Sequence, residues 1–370
     1  MLHSRLRPLP HRHHPTNTPS APTPEFQNED VNSETDESSE DLFSAFLPHL
    51  FPDDAPSFHG DPGQHLLYSS PRYGDLNIMV PSYPSSSQKR SEEIAAGQAK
   101  ADGSVNPVDE GRKLFAHFLW SAAMVVAEGV EQADTPIAPG EVETEAQRET
   151  RELWSIKGES VLELGAGKLA VYTVPRYPQP TQTNAFILYT GAALPSVICA
   201  LADASKVVAT DHPSSPAFSG AIAFNIEHNL AKRTPKVAGE VSMHPHEWGV
   251  LDDSFATANK GGFSRIVAAD CFWMRSQHEN LARTMQWFLS PGGKVWVVAG
   301  FHTGRAIVAG FFETVLENGF VIESIYERDL VARLEDGGEI RREWVPVREG
   351  EGTENQKRWC VIAVLKRKGE

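Results

Sequence analysis

Two stretches decide the reading of this chain: Ser160–Gly167, SVLELGAG, and Lys206–Asp211, KVVATD. The first is a β-branched, apolar run with a glycine-rich exit. The second is a similar run that ends on an acid. LPSVICALADA, beginning at Leu194, lies between them and reads as a helix. The alternation continues outward. SGAIAFNIEHNLAK (219–232) reads as a helix and EVSMHPHEWG (240–249) as a strand. FSRIVAADCFW (263–273) and HENLARTMQWFLS (278–290) follow as strand and helix, then PGGKVWVVAGF (291–301) and AIVAGFFETVLENG (306–319). FVIESIYE and KRWCVIAVLKR close the chain as two strands with no helix between them. Strands alternating with helices predict an α/β fold with a doubly wound, largely parallel sheet, and the last two strands predict an antiparallel pair at one edge.

In such sheets a ligand sits beyond the carboxyl ends of the strands, where the winding reverses. Gly165 and Gly167 after the first strand let the backbone approach a nucleoside, and Asp211 after the second can accept both hydroxyls of a ribose. The pattern therefore predicts an adenosine cofactor. Both NAD and S-adenosylmethionine satisfy it. The NAD fingerprint GxGxxG, running straight into a helix, is missing. Glu163 before the glycines and the closing antiparallel strands favour S-adenosylmethionine, whose ammonium and sulfonium call for carboxylates and carbonyls.

The motifs VLELGAG, VVATDHP, NIEHN, HEWG, AADCFW and LSPGGKVWV resemble those of the seven-β-strand methyltransferases, in particular the family-16 branch. That branch holds protein-lysine methyltransferases and fungal proteins labelled nicotinamide N-methyltransferase-like. The resemblance covers residues 109–370 and the hairpin before them. It implies a Rossmann-like seven-stranded sheet, mostly parallel with an antiparallel final strand, and S-adenosylmethionine as cofactor. It also implies that Glu163, Gly165 and Gly167 form the cofactor loop, that Asp211 holds the ribose, and that Trp248 lies against the adenine. Ala269, in AADCFW, completes the cofactor side. Trp120, in FLWSAA, corresponds to the tryptophan of the helix preceding the cofactor strand. Asp270 and Trp273 stand where the branch has an acid and, three residues on, Tyr or Phe. The change to Trp273 keeps an aromatic wall without a hydroxyl. Asp270 would orient an incoming amine, with the ring against its stem. The competing reading makes Asp270 a turn cap and Trp273 core.

The rest of the chain is organised around this domain. Thirteen of the 26 prolines fall before residue 107, a stretch that is itself acidic. Residues 1–40 read as a disordered tail. Residues 41–107 read as a docking segment (DLFSAFLPHLFP), a β-hairpin (QHLLYSS, turn 71–74, DLNIMVP) and a polar linker. The methyltransferase domain is placed at 108–370. It opens with a helix capped by Asp109, with Leu114, Phe118, Ala122 and Val125 on one face. Residues 168–190 interrupt the family pattern: removing them with one flanking glycine leaves ELGAGAALPSVICAL. The segment carries three prolines and spans a whole number of codons, and sequences for splice signals fit its ends. It reads as a retained intron, expected to protrude from the sheet, and its deletion is expected to raise stability and cofactor affinity.

The formal net charge of −15 argues against a general nucleic-acid binder and suits a basic protein partner. Three cysteines give no disulfide scaffold and no metal spacing, and no apolar run is long enough for a membrane span. The expectation is a monomeric cytoplasmic enzyme, with the nucleus as the alternative, that methylates a lysine of a protein. A nicotinamide-like small-molecule N-methyltransferase and a non-catalytic binding protein with a disrupted cofactor loop are the competing functions.

Overall fold

The computed structural model describes residues 2–9, 58–61, 63–81, 119–166, 192–213, 218–231, 233–335 and 338–370. The predicted docking segment from Asp41 to Pro52, the linker after Pro81, the start of the first helix, Gly167 and the 168–190 segment lie outside them.

The N-terminal elements are β1 (Leu6–Pro8), β2 (Phe58–His59), β3 (His65–Ser70), β4 (Gly74–Met79) and β5 (Leu119–Trp120). The predicted hairpin is present as β3 and β4, and β1 adds to it in the order β1-β3-β4. This corrects the tail assignment for residues 2–9. Leu2 is fully buried, Leu6 packs on the core, and Arg5 reaches Glu131 at 2.5 Å and Glu128 at 3.0 Å. These contacts outweigh a local composition rich in proline and histidine.

Helices α1 (Ser121–Asp134) and α2 (Glu145–Trp154) precede the main sheet. The resemblance put Trp120 in the helix before the cofactor strand; it stands one residue ahead of that helix instead. Its backbone is extended, and it pairs with Phe58. Helix α2 starts on a capping box in which Thr144 accepts from the Gln147 N–H and the Gln147 side chain accepts from the Thr144 N–H. The two helices meet at Gly129, where an added Cβ would stand 2.5 Å from the Trp154 ring. Trp154 in turn packs on Trp296 at 4.9 Å between centroids.

The main sheet then alternates with helices, as predicted except for the short α5, which the sequence reading did not place: β6 (Ser160–Leu164), α3 (Leu194–Leu201), β7 (Lys206–Asp211), α4 (Ala223–Leu230), β8 (Glu240–Pro245), α5 (Ser254–Ala258), β9 (Phe263–Ala269), α6 (His278–Phe288), β10 (Leu289–Gly300), α7 (Arg305–Glu317) and β11 (Phe320–Arg333). The chain ends with β12 (Glu339–Glu343), α8 (Thr353–Lys357) and β13 (Trp359–Arg367). The strand order is β12-β11-β13-β10-β9-β6-β7-β8. Strands β10, β9, β6, β7 and β8 are mutually parallel, and β13 is antiparallel to both β10 and β11. This is the expected seven-stranded arrangement with an eighth strand, β12, added at the edge.

Alternate residues feed two cores. Val161, Val207, Val267, Trp296 and Val298 face α1 and α3, whereas Leu162, Val208, Ile266, Val295 and Val297 face α6 and α7. Each such side chain contributes about 1.5–3 kcal/mol by burial, so a one-residue register slip in a central strand would expose or misplace its whole set.

The β1-β3-β4 sheet docks on α4 through two asparagine amides. Asn225 accepts from the Met79 N–H at 2.7 Å and donates to its carbonyl at 3.0 Å. Asn229 does the same for Asn77 at 3.0 and 2.9 Å. Residues four apart on a helix thus imitate a strand partner for residues two apart on β4. Asn225 also donates to the Ala192 carbonyl at 2.8 Å, just ahead of α3. Asn225→Ala should destabilise the protein by about 1–3 kcal/mol, because it strands the half-buried backbone groups of Met79 and the buried Ala192 carbonyl. Urea unfolding of the variant checks this.

Candidate active site

The chain runs β6 to β7 to β8 on one side and returns to β9 and β10 on the other, so the winding reverses between β6 and β9. At that point β6 exits through Gly165, at φ +69, where L side chains are strained. The Ala166 N–H donates to the Thr210 carbonyl at 2.9 Å, and the Thr210 hydroxyl donates to the Glu163 carbonyl at 2.8 Å. The turn is therefore pinned against β7. The parallel register sets Leu164 beside Thr210, which brings Gly165 and Asp211 to the same edge.

Glu163 stands beneath this turn. Its carboxylate accepts from the backbone N–H of Ser196 at 2.9 Å and from the Ser196 hydroxyl. Helix α3 begins after Ala193, a left-handed residue with no side-chain cap. Glu163 thus serves as a distant cap for the first turn of α3 and holds strand, turn and helix in one geometry. Its burial pushes the carboxyl up to about 7, against the Ser196 hydrogen bonds that lower it. A raised acid costs stability as pH climbs from the unfolded value near 4.5 through 7. Glu163→Gln keeps an acceptor for Ser196 without the charge, so it should stabilise the protein by about 1–3 kcal/mol at pH 8 and change little at pH 4. Thermal unfolding at the two pH values reads the difference.

Asp211 ends β7 and is buried. Its Oδ1 accepts from the His212 N–H at 2.8 Å, and its carbonyl accepts from the His246 N–H at 2.6 Å, tying it to the exit of β8. Burial lowers the imidazole of His212 to about 4 and also lowers that of His246, which sits 3.3 Å from Asp253. Trp248 follows, half-buried against the second core, in a loop fixed by the Gly249 N–H donating to the Thr284 hydroxyl at 2.8 Å.

Ala269 is the last residue of β9, opposite Val298. Asp270 comes next, at φ +50, with its N–H on the Val298 carbonyl at 2.7 Å. Its Oδ1 accepts from the Gly300 N–H at 2.9 Å, so the carboxylate bridges the exits of β9 and β10. Cys271 donates its thiol to the Leu164 carbonyl at 3.1 Å and joins β9 to β6. Phe272 is core, stacked on Phe311 at 4.0 Å, whereas Trp273 is only half-buried.

The geometry also brings in a residue that the sequence reading passed over. His302, two residues past β10, has Nδ1 at 3.9 Å from Asp270 Oδ1 and its ring 4.3 Å from that of Trp120. Trp120 thus reaches the Asp270 edge through His302. The only signal in the sequence was position: His302 lies at the carboxyl end of a parallel strand.

Gly165, Asp211, Asp270, His302 and Trp120 therefore share one end of the sheet, with Trp248 beyond β8 and Trp273 beyond β9. The set fits an adenosine ligand that carries a cation. A glycine at positive φ suits a close backbone approach, a buried acid stands at the ribose position, and a carboxylate with indole rings suits positive charge. A cavity of about 510 Å³, lined by Lys260, Arg283, Trp287 and Arg367, lies at the opposite end, where β9 and β10 begin. Position and chemistry both separate it from this site. Among the described residues, no group of three His, Cys, Asp or Glu could hold a metal.

No family model matches the chain. Among curated proteins it is similar to the protein N-terminal and lysine N-methyltransferase EFM7 of Yarrowia lipolytica, 24% identical over 273 residues, which cover 68% of this chain and 83% of that one. The protein of the same name from Candida glabrata is 28% identical over 185 residues, 48% of this chain and 70% of that one. The Gibberella zeae protein of that name is 25% identical over 232 residues, 58% and 69% of the two chains. These matches agree with the methyltransferase class read from the motifs.

Proposed function

We propose that this chain is an S-adenosylmethionine-dependent N-methyltransferase that acts on an amine of a protein, a lysine in the first place. The observation that carries the proposal is the meeting of Gly165, Asp211 and Asp270 at the one end of the sheet where its winding reverses. The names of the curated relatives, which are protein methyltransferases, support the substrate class. When bound, S-adenosylmethionine supplies an electrophilic methyl group. The protein's own part is alignment. Asp211 accepts the ribose hydroxyls, Gly165 and Gly167 admit the backbone approach, and Trp248 covers the base. Asp270 orients the amine, and Trp273 and Trp120 wall its aliphatic stem. Glu163 holds the turn from beneath and is assigned no contact with the substrate.

The net charge of −15 suits a basic protein as partner, bound by a monomer. Three buried free cysteines suit a reducing compartment, and the cytoplasm is proposed. Among the described residues, no helix is long and apolar enough to cross a membrane. One observation favours a small-molecule substrate instead: Phe58–His59 pairs with Leu119–Trp120, which brings the N-terminal segment beside the site. Incubation with tritiated-methyl cofactor and a fungal lysate separates the two. A labelled protein band that survives denaturing gels supports the proposal. Label confined to small molecules supports the second reading.

A further inference from the structure

We infer that the segment 344–352, WVPVREGEG, is the surface on which the protein substrate is recognised beside its target lysine, and that it takes a basic stretch of chain carrying an apolar side chain; this rests on the methyltransferase reading above. The segment joins β12 to α8. Aromatic packing fixes it at the exit of β10. Trp344 lies nearly parallel to Phe301, with 5.9 Å between ring centroids, and meets Phe312 of α7 edge-on at 5.3 Å. Phe301 is buried and directly follows Gly300, whose N–H the Asp270 carboxylate accepts. The segment therefore borders the end of the sheet where the amine is to be oriented.

Its charges are sorted into an inner and an outer face. Arg305, at the start of α7, donates to the Val345 carbonyl at 2.9 Å and to the Glu351 carboxylate at 2.7 Å, so one guanidinium ties down both ends of the segment. The same guanidinium pairs with Glu327 of β11 at 2.5 Å and lies over the Phe301 ring at 4.1 Å. Arg342 turns onto Glu327 at 2.7 Å and also reaches Glu351. Arg348 donates to the Glu343 carbonyl at 2.6 Å and stands 3.5 Å from Glu327. The two acids that gather these arginines are buried, Glu327 at 0% and Glu351 at 1% exposure of the side chain. What faces outward is Pro346, Val347 at 75% exposure, Glu343 and Glu349.

The sequence of the segment reads as mixed charge, and the fold turns its cations in and its acids out. A single exposed valine is ordinary on a surface. Here buried ion pairs hold both ends of the loop, so the tip is presented in one position and little ordering is left to do on binding. An apolar tip flanked by outward acids is complementary to a basic segment with an apolar side chain.

The test measures tritiated-methyl transfer from S-adenosylmethionine to the proteins of a fungal lysate over a dilution series. It compares the full-length wild type with Val347→Ser and with the double variant Glu343→Gln, Glu349→Gln. Val347→Ser should label the protein band about tenfold more slowly in dilute lysate, and the gap should close as the lysate is concentrated, because the loss is in substrate binding. The double variant should be about fivefold slower at about 0.05 M salt and equal to wild type at about 0.5 M, where surface charge is screened. Val142→Ser, at a valine 88% exposed between α1 and α2, is the control and should match wild type throughout. Every variant should bind S-adenosylhomocysteine with wild-type affinity in calorimetry. Wild-type labelling by both Val347→Ser and the double variant at every dilution overturns the assignment. A loss that concentration does not relieve, or one that Val142→Ser shares, overturns it too. Calorimetry on the wild type tells the two failures apart. Wild type that binds and labels a protein band while the variants match it sinks this surface alone. Wild type that does not bind sinks the methyltransferase reading with it, and label confined to small molecules sinks the protein substrate and its surface together.

Discussion

Glu128→Ala is expected to destabilise the protein by about 3–5 kcal/mol, the effect of breaking a buried ion cluster by removing one partner. Glu128 sits in α1, 3% exposed, and is contacted by Arg5 at 3.0 Å, by Arg333 at 2.5 Å and by Arg328. Arg328 is fully buried and also reaches Glu339 on β12 at 2.9 Å. One carboxylate thus ties the N-terminal segment, α1 and the far edge of the sheet together, and its loss leaves buried guanidinium charge uncompensated. Burial works to raise the Glu128 carboxyl, but Arg328, Arg333 and Arg5 prevail and hold it at about 2. For a depressed acid the stabilisation is fully present above the unfolded value near 4.5 and is lost as pH falls toward 2. Wild type should therefore lose about 2 kcal/mol more than Glu128→Gln between pH 7 and pH 3. Denaturant unfolding at pH 7 and pH 3 measures both quantities. Equal losses in the two proteins would show that the cluster does not hold Glu128 ionised.

Asp270→Asn should lower turnover by about 100-fold with stability changed by less than about 1 kcal/mol. Asparagine can still accept from the Gly300 N–H and tolerates the left-handed backbone at φ +50, so the substitution removes the charge and keeps the tie between the two strand exits. Asp270→Ala is a poorer probe than the sequence alone suggests. It removes the acceptor that joins the exits of β9 and β10, and it should cost about 1–3 kcal/mol besides. Turnover and thermal unfolding measured on both variants separate charge from scaffold. If Asp270→Asn kept full turnover, the carboxylate would be a strand tie and nothing more.

The central sheet was legible because its strands are apolar on both faces and each is followed by a helix of clear period. SVLEL, KVVATD and FSRIVAA announce themselves in this way. The edges were not. β12 reads EIRRE, a charged run that passes for a loop, because its burial rests on ion pairs and not on apolar alternation. Leu119–Trp120 continues a helical pattern in sequence, yet it is pulled into an extended pair by residues 58–59, a contact that local periodicity cannot register. α2 was missed although Thr144 and Gln147 spell its capping box. In the site, Gly165, Asp211 and Asp270 were readable from strand ends, since topology alone brings those ends together. Glu163 was placed at the right turn, but its carboxylate faces Ser196. His302 carried no motif, because its meaning comes from Asp270 and Trp120, which the fold brings to it from distant stretches of chain.

The most direct test of the account is calorimetric binding of S-adenosylhomocysteine to the full chain and to Asp211→Ala, each also made without 168–190. The acid at the end of β7 should contribute charge-assisted hydrogen bonds to the ribose, so Asp211→Ala should weaken binding by about 1.5–3 kcal/mol, roughly 10- to 150-fold. The shortened chain should bind more tightly than the full one, because its glycine turn runs directly into α3. Saturable binding that Asp211→Ala weakens by this amount is the predicted result. Binding that ignores Asp211, or no binding by either wild-type form, would contradict the assignment of this sheet end as a cofactor site.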